Sequence, residues 1–167
     1  MDSSKIIGSI KTVEDKDRLF SEIDLVSKAI YVEGELLKVL DSQVSKTLRG
    51  YVGNETSQEV ISQKLSDLKK SLAEFSVVKL TLAYEPSEST IDKILAFLRQ
   101  NLGEKTILEM QFEPKILGGV IFEFRGSYKD YTLKSRLDEV FKNKREEILR
   151  SLSQNSNRKT QNYSSNL

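Results

Sequence analysis

The sequence contains no cysteine, no histidine and no tryptophan, and only two prolines in 167 residues. Without Cys or His there is no Ser-His-Asp triad, no Cys-His dyad, no zinc site of the usual ligand types, no haem held by those residues and no disulfide framework. Any chemistry must rest on carboxylates, lysine, tyrosine or serine. No apolar run approaches the roughly 20 residues that cross a bilayer, and the opening stretch MDSSKIIGSIK has no signal-peptide core, so the chain reads as soluble and cytosolic. A marked excess of either charge is missing too. Lys and Arg number 26 against 25 Asp and Glu, a net +1 that exerts no global pull on nucleic acid or anionic lipid. The balance tilts only locally, to +4 from Lys129 onward and −3 before it, as a solvated, charge-laced helix produces.

What is present is helical periodicity first and strand alternation second. Thr12 with Asp15 forms a capping-box pattern ahead of Leu19, Phe20, Ile23, Val26 and Ile30, which predicts a helix over 13–31. Leu36, Leu37, Leu40, Val44 and Leu48 predict a second helix over 35–49, ending before the turn-prone Gly50 and Gly53-Asn54. Thr56 with Glu59 marks the start of a third, carrying Val60, Ile61, Leu65, Leu68, Leu72 and Phe75. Each stripe is too short for a coiled coil, so the three faces bury one another in a small bundle.

From Val77 to Tyr84 the period changes to two, predicting a strand that Glu85-Pro86-Ser87 ends. Ser87 or Ser89 can cap the next helix, which carries Ile91, Ile94, Leu95, Leu98 and Leu102 and stops at Gly103. Thr106–Phe112 alternates again, Pro114 interrupts, Gly119–Arg125 forms a third strand, and Gly126-Ser127 turns the chain into a short extended piece over 128–131. Leu133, Leu137, Val140, Phe141, Ile148 and Leu152 mark a final helix. The fold class is α+β, an N-terminal helical bundle followed by a C-terminal β-α-β-β-α domain, divided as 1–75 and 76–152. The polar stretch 153–167 is expected to be a disordered tail.

No catalytic, cofactor-binding or metal-binding residue is assigned. Gly118-Gly119 and Gly126 make no phosphate-cradling motif, and Glu109, Glu113, Glu123 and Asp130 have no spacing that makes an acid and base of them. Phe122, Phe124, Tyr128 and Tyr131 lie near Arg125, Lys129 and Lys134, in the manner of a stacking platform, but Phe122 and Phe124 alternate with Glu123 as core residues do.

The run from Phe112 through Glu113, Pro114, Leu117, Gly118 and Gly119 to Phe122, followed by Asp130, Thr132, Leu133, Lys134, Arg136 and Leu137, resembles the C-terminal signature of the delta subunit of F-type ATP synthases, also called the oligomycin-sensitivity-conferring subunit. In that family an acidic-Pro-x-apolar-apolar-Gly-Gly stretch enters a strand, and an Asp-x-Ser/Thr-apolar-basic-small-basic-Leu stretch opens the last helix. The likeness covers roughly 75–140. The helical half departs from it, being shorter and lacking an early Tyr-Ala-x-Ala-Leu motif, and Arg125 and Tyr131 stand where the family usually has Gly.

The resemblance implies a non-catalytic peripheral-stalk subunit, linking the catalytic head to the membrane-anchored b subunits so that rotation is coupled to ATP synthesis. The partners it implies are the alpha subunits for the bundle and the b subunits for the C-terminal domain, at the cytoplasmic face of a bacterial membrane. It implies structural or interface roles for Pro114, Leu117, Gly118, Gly119, Asp130, Thr132, Lys134, Arg136 and Leu137. Pro114 stops a strand, the glycines turn the chain, Asp130 or Thr132 caps the last helix, and Leu133 and Leu137 pack that helix onto the sheet. Lys134 and Arg136 point outward, toward solvent or an acidic partner. The competing reading is a small nucleic-acid-binding or ribosome-associated protein using the basic final helix, with steep salt dependence. An enzyme comes third.

Overall fold

Thr12 closes a full capping box in the computed structural model, which describes residues 3–163. The Asp15 amide donates to Thr12 Oγ1 at 3.2 Å and the Thr12 amide to Asp15 Oδ2 at 3.3 Å, satisfying two donors that a helix start leaves open. Helix α2 (Val13–Ala29) follows, with Leu19, Ile23 and Val26 buried. Before it lies α1 (Ser3–Ser9), a short helix that three isoleucines alone did not announce; Ile6 and Ile10 are buried in the same core.

The single helix expected over 35–49 is two. Helix α3 (Glu35–Ser42) ends at Gln43, and α4 (Lys46–Val52) starts from the cap Ser45. A distant residue makes the break. Glu22, on α2, accepts from the Ser45 amide at 3.0 Å and from its hydroxyl at 2.7 Å, while Ser45 Oγ accepts from Leu48 N. The apolar face rotates accordingly: Val39 and Leu40 are buried, whereas Leu37 is 71% exposed. Gly50 lies inside α4, and Gly53 ends it. The next helix, α5 (Gln58–Ala73), is capped by Ser57 rather than Thr56, because Ser57 Oγ reaches the Val60 amide and Glu59. Its Ile61, Leu65, Leu68 and Leu72 complete the bundle core.

Strand β1 (Ser76–Leu82), helix α6 (Glu88–Leu102), β2 (Thr106–Phe112), a 3-10 turn at Pro114–Ile116, β3 (Val120–Phe124) and β4 (Ser127–Asp130) form the second part. Ser87 caps α6 and Gly103 ends it. The sheet order is β2-β1-β3-β4, with β1 and β2 parallel, as a connecting helix requires, and the other pairs antiparallel. The parallel register sets Val78 beside Leu108 and Val77 beside Ile107. Alternation then sends Val78, Leu80 and Leu108 under α6, where Leu95 and Leu98 meet them, and Val77 and Ile107 into the helical bundle. The sheet therefore lies between the two groups of helices.

Arg125 and Gly126 make the β3–β4 hairpin turn, both with positive φ (48° and 78°). Arg125 thus holds a left-handed backbone, and its guanidinium lies 5.0 Å from the Phe124 ring centre. Helix α7 (Leu133–Tyr163) runs into the stretch whose composition predicts a disordered tail. No Gly or Pro occurs after Gly126, so no residue there interrupts a helix. Residues 164–167 of that expected tail lie outside the described residues.

Candidate partner-binding surfaces

Six of the signature residues meet at one junction, where α7 leaves the sheet. Pro114 opens the 3-10 turn, whose start Glu113 caps by accepting from the Lys115 amide at 3.2 Å. Leu117, Gly118 and Gly119 then follow with φ of 65°, 153° and 86°. Leu117 is 64% exposed on this left-handed backbone. Gly119 is the tight point: a Cβ there would collide with the Tyr131 carbonyl oxygen and sit 2.9 Å from Thr132 Cα. Only glycine permits that approach. Two backbone hydrogen bonds close the junction, Tyr131 N to Val120 O and Leu133 N to Gly118 O, both 2.9 Å.

Asp130 and Thr132 divide the capping. The Thr132 amide donates to Asp130 Oδ1 at 2.8 Å, and buried Thr132 accepts from the Ser135 amide at 3.1 Å through its hydroxyl oxygen. Hydrogen bonds from Thr132, first its hydroxyl and then its amide, hold the Asp130 carboxyl below the ordinary carboxylate range, with Lys134 adding a smaller attraction. Lys134 and Arg136 are exposed. Leu133 and Leu137 do not pack onto the sheet as expected; they are 48% and 37% exposed. The cap directs α7 against the Pro114–Ile116 turn instead, and Val140 and Phe141 continue its exposed apolar face.

That departure leaves the outer sheet face uncovered beyond α6. An open groove of about 670 Å³ lies there, with Leu80, Leu82, Val120 and Phe122 as its floor, Ile94 and Phe97 of α6 as one wall, and Tyr131 at the end. Phe97 is 65% exposed and Tyr131 half exposed. Lys93 and Lys129 stand at the groove as its charged residues. Phe122 and Phe124 pack against the α6 core, as their alternation with Glu123 predicts, and Phe122 shares the groove with Tyr131. A second crevice, of about 660 Å³, runs between α3, α4 and the turn at 53–56, beside exposed Leu37.

The four carboxylates considered for acid-base work do not converge. Glu109 faces Lys79 at 3.6 Å, Glu113 caps the 3-10 turn, Glu123 sits opposite Lys79 in β1, and Asp130 caps α7.

A helical body, a sheet with an open apolar groove and an outgoing helix define the class: an α+β protein. A model of the ATP synthase delta (OSCP) subunit family matches residues 34–144. The chain belongs to that family, and is a non-catalytic peripheral-stalk subunit of an F-type ATP synthase, a membrane-associated complex. It is 25% identical over 142 residues to the ATP synthase subunit delta of Persephonella marina, covering 78% of this chain and 77% of that protein. With the subunit delta of Cupriavidus taiwanensis it shares 26% over 107 residues, covering 60% and 59%. A chain in the solved Toxoplasma gondii mitochondrial ATP synthase hexamer matches at 17% identity and a TM-score of 0.36, over 76% of this chain and 86% of that one, too loosely to bear on the fold. The nucleic-acid reading finds no support in these matches. Among the described residues no helix is long and apolar enough to cross a membrane.

Proposed function

We propose that the two parts of the chain divide the connector's work at residue 75. The helical part, 1–75, sits on the catalytic head and grips N-terminal helices of the alpha subunits. The sheet part, 76–152, holds the C-terminal end of the b subunits at the cytoplasmic face of a bacterial membrane. The connector keeps the head from turning with the central shaft, so it must resist load without touching substrate. The observation that carries the stalk end is the groove over Leu80, Leu82, Val120 and Phe122. Its apolar lining suits the apolar face of an amphipathic helix, and Lys93 and Lys129 favour acidic residues along that helix's flank.

The test is capture of partners from a membrane extract of the source cell by the tagged chain, at moderate and at high salt. Alpha and b subunits retained at both salts support the assignment, because apolar helix-in-groove contacts resist screening. Recovery of RNA or ribosomal proteins that wash off at high salt overturns it.

A further inference from the structure

The open face of the sheet carries two cross-strand rows, and both finish on the stretch 129–131. Leu80 pairs with Phe122 and Phe122 with Lys129; Leu82 pairs with Val120, whose carbonyl accepts from the Tyr131 amide. Helix α6 returns over β1 against the strand direction, as a connection between parallel strands requires. Arg99 fixes its place by donating to the carbonyls of Thr106, Ile10 and Gly8 at 3.2, 2.6 and 3.3 Å. The stretch of α6 from Lys93 to Leu102, about 14 Å of helix, therefore borders the groove on one side, and Lys129 and Tyr131 stand opposite.

The chemistry of that groove suits an apolar body carrying negative charge. Its polar side chains are Asn101, whose amide donates to the Phe97 carbonyl at 2.7 Å, the Tyr131 phenol, and Lys93 and Lys129. Both lysines are exposed, neither takes part in an ion pair among the described residues, and no carboxylate lines the groove. A volume of about 670 Å³ falls within the roughly 300–1,000 Å³ of small-ligand sites, which share this pattern of apolar walls with a few placed polar groups.

We propose that the groove is also a ligand site for a single-chain anionic amphiphile, of which an alkyl carboxylate is the simplest. The chain lies over Leu80, Leu82, Val120 and Phe122, and Lys93 and Lys129 hold the head at the rim. Burial of the chain drives binding, and the two ammonium groups select the sign of the head. This floor is also the one assigned to the b-subunit helix, so ligand and helix exclude one another. The exclusion rests on the stalk assignment; the ligand site does not.

The test is a titration of the isotope-labelled full-length chain with laurate below its micelle-forming concentration, beside dodecyltrimethylammonium, which carries a similar chain and the opposite charge. Laurate should shift the resonances of Leu82, Phe97, Phe122 and Tyr131 together and saturably, and bind about tenfold more tightly than the cation. Lys93→Met with Lys129→Met, both at exposed positions, should erase that preference while the shifts persist. No saturable shift, or equal binding of the cation by the parent, overturns the ligand site. Phosphatidylglycerol vesicles should leave the chain in the supernatant on sedimentation; a chain that pellets with them belongs to a membrane surface, which overturns the site as well. A saturating peptide from the C-terminal end of the b subunit should weaken laurate binding about tenfold or more. Undiminished laurate binding beside bound peptide overturns the exclusion alone. Laurate binding with no peptide binding supports the ligand site and overturns the stalk assignment of the groove.

Discussion

Ile107 and Leu108 are neighbours in β2, both fully buried, and they serve different cores: Ile107 packs among the helices of the bundle, Leu108 beneath α6. Strand alternation places them on opposite faces, and the sheet becomes a wall shared by the two parts. Truncating either to Ala should cost about 2–5 kcal/mol in a denaturant titration, since both positions leave cavities. Hydrogen exchange should separate them. Ile107→Ala is expected to raise exchange first in α2 and α5, and Leu108→Ala in α6; the same pattern in both variants would mean that the two cores are not distinct.

Gly119→Ala should destabilise the chain by roughly 1–3 kcal/mol, because the added methyl must displace the Tyr131 backbone and the residue sits at φ 86°. Gly118→Ala, at φ 153° with open space for a Cβ, should cost less. Thermal unfolding of the two variants side by side checks the order, and a larger loss at Gly118 would contradict this geometry.

The Asp130 cap should titrate. Its carboxyl is held below the ordinary value of 3.8 in the folded state, so the stability it lends is complete above that value and is lost as pH falls through the depressed one. Asp24, lowered by its hydrogen bond and ion pair with Lys69, fades in the same acidic window. The Thr132 amide resonance should therefore report a midpoint below 3.8, and Asp130→Asn should abolish that titration. A midpoint at or above the ordinary value would mean that the cap does not form in solution.

The break between α3 and α4 should depend on Glu22. Ser45→Ala removes both the cap on Leu48 and the hydroxyl that Glu22 accepts, and should cost about 1 kcal/mol. Glu22→Gln keeps an acceptor and should cost less. Equal losses in a denaturant titration would argue against a specific Glu22–Ser45 contact.

Local chemistry made much of this fold legible. The Thr12–Asp15 capping box, the Ser87 cap, the Gly103 stop and the Thr106–Phe112 alternation all act within a few residues, and each appears where its pattern lies. What escaped was non-local. Nothing in Gln43-Val44-Ser45 announces a break, because the partner that fixes it, Glu22, lies in another helix. Ser57 outcompetes Thr56 through hydrogen bonds that both residue types can make. Nothing in the sequence singles out Arg99, and only the placement of α1 against β2 gives its guanidinium three carbonyls to hold. The signature from Pro114 to Thr132 was readable as a turn and a cap, but the direction of α7 was not. That direction follows from Leu133 N meeting Gly118 O, and it exposes Leu137 and opens the groove.

The sheet part is proposed to receive a b-subunit helix in the groove beneath Phe97. The most direct test is a titration of the isotope-labelled chain with a peptide spanning the C-terminal end of the b subunit encoded in the same genome. Resonances of Leu82, Phe97, Phe122 and Tyr131 should shift together, and Phe97→Asp, at an exposed position, should weaken binding about tenfold or more, roughly 1.4 kcal/mol, with the fold intact. Absence of binding, or shifts confined to the helical part, would contradict it.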